Sequence, residues 1–178
     1  MFTGLIESVG EVVESAPING GISLGLATSL APELTLGESL AVNGVCLTVV
    51  RRDTATAWAD VGPETLRVTT LGGLRPRMRV NLERSMRADS RFGGHFVQGH
   101  VDAVGTVVEV RSGSDFHTVR IAYPARFARS IIHRGSIAVD GISLTVAGLG
   151  ADWFEVMIIP FTMAQDRKST RLNSSHRT

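Results

Sequence analysis

The stretch AVNGVCLTV at Ala41–Val49 returns as AVDGISLTV at Ala138–Val146. Each copy contains Asn-Gly or Asp-Gly, a strong signal for a type I′ hairpin turn, because both central residues of that turn need a positive φ. The residues after the turn, VCLTV and ISLTV, are mostly types that are enriched in strands. Each copy therefore predicts a β-hairpin.

Two other stretches repeat in the same order. GLIESVGEVVE, which begins at Gly4, returns as GHVDAVGTVVE, which begins at Gly99, and the tripeptide at Pro63 matches the one at Pro160. All matches are about 95 to 97 residues apart, a period that fits a domain and not a solenoid repeat. The chain is thus predicted to contain two similar domains, at residues 1–94 and 95–165.

Strand alternation separates the hairpin side chains into two faces. One face is apolar and should fill a core, with Val45, Leu47 and Val49 matched by Ile142, Leu144 and Val146. The other face carries small polar groups at matching places: Cys46, Thr48, Ser143 and Thr145. Cys46 alone is most often a buried small hydrophobe and the threonines can be ordinary strand residues, but the match of Cys46 to Ser143 favours a site.

The remaining pattern predicts an all-β fold with few short helices, in which each repeat forms a small antiparallel barrel. Further strands are expected at Leu5–Val13, Gly21–Ala27, Thr56–Val61, Val80–Arg84, Val101–Val108, Thr118–Tyr123 and Phe154–Ile159. Helical turns are expected at Pro63–Leu71 and Pro124–Ile132, where proline stands at the first position.

The second repeat is shorter than the first. Only three residues follow Thr162 before a polar, basic segment at residues 166–178, so we expect the second barrel to lack its closing strand and to present an open edge. The segment 166–178 is interpreted as a non-native or disordered tail and is left out of the fold. Without it, 14 basic and 16 acidic side chains remain, a net charge of −2.

The bulk composition limits the possible classes. The chain has 178 residues, 43% hydrophobic and 20% charged, as in globular proteins, and no apolar run nears the roughly 20 residues of a membrane helix. The start lacks a basic region and carries Glu7, unlike a signal peptide. One cysteine forms no internal disulfide, which fits the cytoplasm. No basic patch indicates nucleic acid.

Two histidines lie in a glycine-rich stretch between the repeats. Their spacing fits no common zinc pattern, and no GxGxxG motif indicates a dinucleotide. We expect His95 to make a structural hydrogen bond in the linker. For His100 we favour a role in a site, because it follows Gly99, the match of Gly4.

Four long motifs closely resemble riboflavin synthase: MFTGLIE, GESLAVNGVCLTV, VNLERSMRADSRFGGHFVQGHVD and GSIAVDGISLTV. The resemblance runs from Met1 to about Gln165. It implies two tandem six-stranded Greek-key barrels followed by a C-terminal helix that helps to form a homotrimer. It also implies the dismutation of two molecules of 6,7-dimethyl-8-ribityllumazine to riboflavin and 5-amino-6-(D-ribitylamino)uracil, with no metal or cofactor. From the composition we expect no nucleic-acid or membrane partner.

The resemblance places each active site between the first barrel of one subunit and the second barrel of its neighbour. The implied first-barrel residues are Gly4, Leu5, Ile6, Cys46, Leu47, Thr48, Asp60, Val61, Gly62, Pro63, Glu64 and Thr65. The implied second-barrel residues are Gly99, His100, Val101, Arg134, Ser143, Leu144, Thr145, Met157, Ile158, Ile159, Pro160, Phe161 and Thr162. Of these, Cys46, His100, Ser143 and Thr145 are the expected catalytic residues.

The chain departs from the family pattern at three places. Arg134 stands where a lysine is usual, which keeps the charge but changes its geometry and acidity. Phe161 stands where a polar residue is usual. The V-N-x-E-x-D segment of the second barrel and the trimerising helix fall beyond Gln165 and are missing from the sequence. There are two alternative interpretations. The chain could be a non-catalytic lumazine- or flavin-binding protein of the same fold, or a barrel that carries another small ligand.

Overall fold

The first repeat closes into a six-stranded antiparallel barrel. The computed structural model describes residues 1–113 and 116–158. Its first six strands are β1 (Ser8–Ile18), β2 (Gly21–Ala27), β3 (Ser39–Val42), β4 (Val45–Arg52), β5 (Thr56–Val61) and β6 (Arg79–Arg84). They follow the order β1-β2-β5-β4-β3-β6, and β6 pairs with β1 to close the ring. Closure removes the exposed edges that an open sheet would have.

The second repeat has the same strand order over the residues described. Its strands are β7 (Thr106–Ser112), β8 (His117–Ala122), β9 (Ser136–Val139), β10 (Ile142–Leu149) and β11 (Trp153–Ile158). Their order, β7-β8-β11-β10-β9, matches β1-β2-β5-β4-β3 of the first barrel. Within the described part of the chain, β7 and β9 are the edges of this sheet. A closing strand would come from residues after 158, which lie outside the described part of the chain.

The predicted hairpins are confirmed in both repeats. β3 pairs with β4, and β9 with β10, across turns whose central residues have φ values of 47° at Asn43 and 78° at Gly44, and 47° at Asp140 and 82° at Gly141. These positive angles are the reason for Asn-Gly and Asp-Gly at the turns.

Side-chain alternation fills one core in each repeat. Val45, Leu47 and Val49 are each at most 5% exposed and join the core of the first barrel. In the second repeat Val146 is 1% exposed and packs with Val119, Ile121, Phe154 and Val156 on the inner face, whereas Ile142 and Leu144 are only half-buried. The predicted inward face is thus confirmed in the first barrel and holds in part in the second.

Two predicted strands begin later than expected. β1 starts at Ser8 instead of Leu5, and β7 starts at Thr106 instead of Val101. The segment before each strand bonds to the other repeat instead of its own sheet: the Gly4 carbonyl accepts from the Ser143 amide and the Gly99 carbonyl from the Cys46 amide. Both glycines have positive φ values, 79° and 82°. The segments that contain these glycines leave their own sheets and lie against the other repeat, as described below.

Short helices connect the strands. The predicted helix at Pro63–Leu71 is a helix α1 (Pro63–Val68) followed by a 3₁₀ turn at Leu71–Gly73, and the predicted helical turn at Pro124–Ile132 is a 3₁₀ helix at Ala125–Ser130. A further 3₁₀ turn spans Ala31–Glu33. In residues 1–113 and 116–158, no helix is long and apolar enough to cross a membrane.

A buried carboxylate fixes the start of the chain to the first barrel. The side chain of Glu83, on β6, is 4% exposed and accepts hydrogen bonds from the Thr3 amide at 2.6 Å, the Thr3 hydroxyl at 2.7 Å and the Gly4 amide at 2.9 Å. Hydrogen bonds to a charged acceptor are stronger than neutral ones. Glu83 therefore positions residues 3 and 4, which contact the second repeat.

We expect Glu83→Gln to lower the free energy of unfolding by about 2 kcal/mol, because an amide N–H group would face donors that now share a carboxylate. Urea denaturation monitored by circular dichroism measures the change. The control is Glu11→Gln, which alters an exposed glutamate on β1. Equal midpoints for the two variants would contradict this role of Glu83.

Candidate active site

The two repeats hold each other through a pair of crossed hydrogen bonds. The Ser143 amide, on β10, donates to the Gly4 carbonyl at 2.8 Å, and the Cys46 amide, on β4, donates to the Gly99 carbonyl at 2.9 Å. Gly4 and Gly99 are matching residues of the repeat, and so are Cys46 and Ser143. The entry segment of each repeat therefore lies on the hairpin strand of the other.

These contacts leave no room for a side chain at either glycine. A Cβ atom on Gly4 would lie 2.7 Å from the Ser143 Cβ, and one on Gly99 would lie 2.6 Å from the Cys46 Cβ. Both distances are too short for non-bonded carbon atoms. The matched glycines are thus explained by a close approach of two backbones as well as by their positive φ.

The crossing changes how the predicted site residues are grouped. The sequence grouped Gly4, Leu5 and Ile6 with Cys46, and Gly99, His100 and Val101 with Ser143. In the structure, Gly4 bonds to Ser143 and Gly99 to Cys46. Val101 also packs against the core of the first barrel. These backbone contacts join residues that the grouping by repeat keeps apart, because a repeat in sequence does not say whether a segment contacts its own copy or the other one. Which residues share one binding site stays a prediction.

The polar face of each hairpin is accessible. Cys46 and Ser143 are half-buried, and Thr48 and Thr145 are exposed. Leu47, between Cys46 and Thr48, is buried as predicted, and Leu144 is half-buried. The structure therefore presents matched pairs of small polar groups at the surface of both repeats.

Two further hydroxyls stand opposite these threonines. Ser39 on β3 pairs with Thr48, and Ser136 on β9 pairs with Thr145, so each serine shares a face with its threonine. Sequence reasoning missed both serines. The sequence does indicate them, because Ser39 and Ser136 are separated by the same number of residues as the two hairpins. We add these residues to the candidate polar groups.

The other predicted site residues lie at the ends of strands β5 and β11. Asp60 and Val61 end β5, and Gly62, Pro63, Glu64 and Thr65 lead into α1. Glu64 forms an exposed ion pair with Arg67, whose hydrogen bond lowers the pKa of the Glu64 carboxyl. At the matching place in the second repeat, Met157 is exposed and Ile158 is buried. The predicted residues Ile159, Pro160, Phe161 and Thr162 lie outside the described residues.

The two remaining candidates, a histidine and an arginine, are at the surface. His100 and Arg134 are both exposed. Arg134 has a φ of 64°. Its amide donates to the Val146 carbonyl at 2.9 Å, so its backbone lies beside β10.

His95 makes the hydrogen bond that the sequence led us to expect, and its partner is a predicted site residue. Its Nδ1 atom is 2.7 Å from the Ser143 hydroxyl, and its amide donates to the Thr3 carbonyl at 3.0 Å. Partial burial lowers the pKa of the imidazole, since the charged form loses hydration there. The structural prediction for His95 is confirmed, and the contact brings this residue to the candidate site.

A cavity of about 480 Å³ lies beside these groups, between the second sheet and the linker. Apolar side chains of the sheet interior line one wall, including Ile121, Tyr123 and Phe154, and the linker from His95 to Gly105 lines another. Cys46 and Ser143 are not among its lining residues. The cavity thus lies where the second sheet, the linker and the first repeat meet, because Asn43, Gly44, Val45, Thr69 and Thr70 also line it. Of the predicted site residues, Gly99, His100 and Val101 are in its lining.

Over residues 1–113 and 116–158, no group of three or more histidine, cysteine or carboxylate side chains is arranged to hold a metal ion.

Comparison with known proteins decides the family. The model of the family described as "Lumazine binding domain" matches the chain twice, at residues 3–85 and 98–174. The chain belongs to this family. The riboflavin synthase of Mycobacterium tuberculosis (strain H37Rv) is 48% identical over 98% of this chain and 88% of that protein, and the riboflavin synthase of Bacillus subtilis (strain 168) is 37% identical over 93% of this chain and 77% of that protein. The chain is therefore a member of the riboflavin synthase family.

Solved structures show the same fold. The crystal structure of LumP complexed with riboflavin has a TM-score of 0.86 and 22% sequence identity, with 99% of this chain and 95% of that chain covered. LumP complexed with 6,7-dimethyl-8-(1'-D-ribityl) lumazine gives a TM-score of 0.81 over 93% of this chain and 90% of that one. The second family match extends to residue 174, past the Gln165 boundary proposed from sequence, and that boundary stays a prediction.

We expect the ring of His95 to titrate below its ordinary pKa of 6.5 in the folded chain. The fold favours the neutral imidazole, so its contribution to stability is complete above pH 6.5 and is lost as the pH falls from there to the folded pKa. NMR titration of the histidine ring signals, with His95→Asn for assignment, measures this. A midpoint at or above 6.5 would contradict the burial of this ring.

Proposed function

We propose that this chain is a riboflavin synthase, which converts two molecules of 6,7-dimethyl-8-ribityllumazine to riboflavin and 5-amino-6-(D-ribitylamino)uracil. The reaction moves a four-carbon unit from one substrate molecule to the other. The atoms and electrons lost by the donor are gained by the acceptor, so the reaction balances without an oxidant, metal or cofactor. Family membership at 48% identity supports this activity.

One observation in the molecule carries the proposal: the polar face is built twice. Cys46 and Thr48 stand on β4 where Ser143 and Thr145 stand on β10. In each pair the threonine is exposed and the other residue is half-buried. A reaction between two identical molecules needs two similar sites. The duplicated hairpin supplies them, and each site receives a backbone segment from the other repeat.

Each hairpin, with the nearby strand ends, is proposed to bind one substrate. The fixed polar and backbone groups would orient the ring, and exposed apolar side chains such as Leu5 and Met157, which are 50% and 49% exposed, would cover its face. The proposed binding residues are those named in the sequence analysis. The hydrogen bonds from Ser143 to Gly4 and from Cys46 to Gly99 support grouping each entry segment with the hairpin strand of the other repeat. Holding two substrates in register provides an effective molarity of about 10⁵ M or more in favourable cases.

The proposed chemical roles follow from residue type. Ser143, Thr145 and His100 would accept or stabilise the proton and charge as a methyl group of one lumazine ring is deprotonated. Cys46 would polarise the ring of the other molecule or add to it. Such positioned groups typically contribute about 10²- to 10⁴-fold to a rate.

The finer features of the family also remain proposals for this chain. We propose a homotrimer in the cytoplasm, with each active site formed by the first barrel of one subunit and the second barrel of its neighbour. Exposed apolar side chains, including Phe96 at 67% and Ile132 at 70%, offer surface that such contacts would cover.

We expect the purified chain to form riboflavin and the uracil product in equal amounts when it is incubated with 6,7-dimethyl-8-ribityllumazine. Chromatography quantifies both products against a sample without protein. Binding of the lumazine without any product would instead support the alternative, a non-catalytic lumazine- or flavin-binding protein.

We expect Ser143→Ala to lower kcat by about 10²-fold, because it removes a hydroxyl from the proposed site. The matched control is Ser112→Ala, which removes an exposed serine hydroxyl on β7. Steady-state kinetics on both variants measures the difference. An equal kcat for the two would remove Ser143 from the chemical step.

A further inference from the structure

The linker between the repeats holds an imidazole against one of the two proposed sites. His95 is fixed at two points: its amide donates to the Thr3 carbonyl at 3.0 Å, and its Nδ1 atom is 2.7 Å from the Ser143 hydroxyl. Thr3 is itself bound to the buried carboxylate of Glu83. The ring position is therefore set by the first barrel, although it acts on a side chain of the second repeat.

The first hairpin has no equivalent of this contact in the described residues. Cys46, the match of Ser143, is a free thiol, and its sulfur has no hydrogen-bond partner among residues 1–113 and 116–158. The hydrogen bond from the Cys46 amide to the Gly99 carbonyl reproduces the one from the Ser143 amide to the Gly4 carbonyl, so the two backbone arrangements match. The two sites thus share a backbone frame and differ in their side-chain chemistry.

We propose that His95 is a positioning residue that orients the Ser143 hydroxyl toward bound substrate and so makes the two lumazine sites chemically different. This inference rests on the proposed function and adds a division of roles between its two sites. Either tautomer of the ring suffices: a protonated Nδ1 donates to the serine oxygen and leaves its O–H for the ligand, and an unprotonated Nδ1 accepts that O–H and leaves the oxygen lone pairs. In both cases the hydrogen bond fixes the position of the Ser143 oxygen.

A difference between sites suits the reaction. The two substrate molecules are identical, yet one must lose the four-carbon unit and the other must gain it. A symmetric pair of sites would give each molecule the same surroundings, whereas a hydroxyl held by an imidazole on one side and a thiol on the other separates the roles. The geometry thus assigns the selection of donor and acceptor to residues 46, 95 and 143.

The test compares His95→Leu, which removes the hydrogen bond but keeps the bulk, with His95→Asn, whose amide can reach near the Nδ1 position. We expect His95→Leu to lower kcat by roughly five- to tenfold, the worth of one hydrogen bond, with little change in KM. His95→Asn should restore most of kcat. If both variants lose the same activity, or if KM alone changes, the ring does not orient the hydroxyl.

Combined variants test whether the effect passes through Ser143. In the Ser143→Ala background, His95→Leu should cause no further loss, because the hydroxyl that it orients is gone. In the Cys46→Ser background, the loss from His95→Leu should multiply with that of the first change. A multiplied loss in the Ser143→Ala background would overturn the proposal.

The matched control is His117→Leu. His117, a half-buried residue on β8, forms the same kind of contact in the same repeat, from its Nδ1 atom to the hydroxyl of the exposed Ser112 at 3.1 Å. It should leave kcat unchanged. A loss equal to that of His95→Leu would show that any such pair stabilises the repeat, and would contradict a specific role for His95.

Riboflavin binding separates this inference from the proposed function. Titration of the unaltered chain, followed by quenching of flavin fluorescence, should show two sites per chain, and His95→Leu should weaken one of them. If the unaltered chain turns over substrate but His95→Leu weakens riboflavin binding at both sites equally, the inference is overturned and the proposed function stands. Binding without turnover by the unaltered chain would overturn the function itself.

Discussion

The exchange of entry segments between the two repeats is the constraint on which the rest of the structure depends. The two crossed backbone hydrogen bonds, Ser143 to Gly4 and Cys46 to Gly99, each contribute only about 1 kcal/mol to the free energy of folding. An apolar cluster that includes Cys46 lies beside one of them. Phe2 is fully buried and packs with Ala41 and Val97, and burial of one phenylalanine side chain contributes about 2 kcal/mol or more. Packing thus stabilises the crossing, and the hydrogen bonds fix its register.

The crossing also explains why the proposed sites are where they are. Gly4 and Gly99 bring backbone carbonyls onto the strands that carry Ser143 and Cys46, so each polar face is bordered by both repeats. The buried Glu83 holds the first of these segments, and the same segment positions His95. Stability of the first barrel and geometry of the second site are therefore connected through a few residues at the start of the chain.

Much of the fold could be predicted from local sequence, and the crossing could not. The hairpins follow from Asn43-Gly44 and its copy, since turn chemistry acts over two residues. β2 and β5 have the predicted bounds, and glycine marks the start of β2 as Gly62-Pro63 marks the end of β5. The grouping of Gly99 with Cys46 required knowledge of contacts between distant segments. For His95 the sequence indicated a hydrogen bond but carried no signal for its partner, 48 residues away.

The central claim, that each repeat completes the other, is tested most directly by the cooperativity of unfolding. The chain has one tryptophan in each repeat, Trp58 on β5 and Trp153 on β11. Trp153→Phe leaves fluorescence that reports the first repeat, and Trp58→Phe leaves fluorescence that reports the second. The account predicts that each variant gives a fluorescence transition in urea that coincides with its own circular dichroism transition. A tryptophan signal that changes at a separate urea concentration from the circular dichroism of the same variant would show independent domains and contradict it.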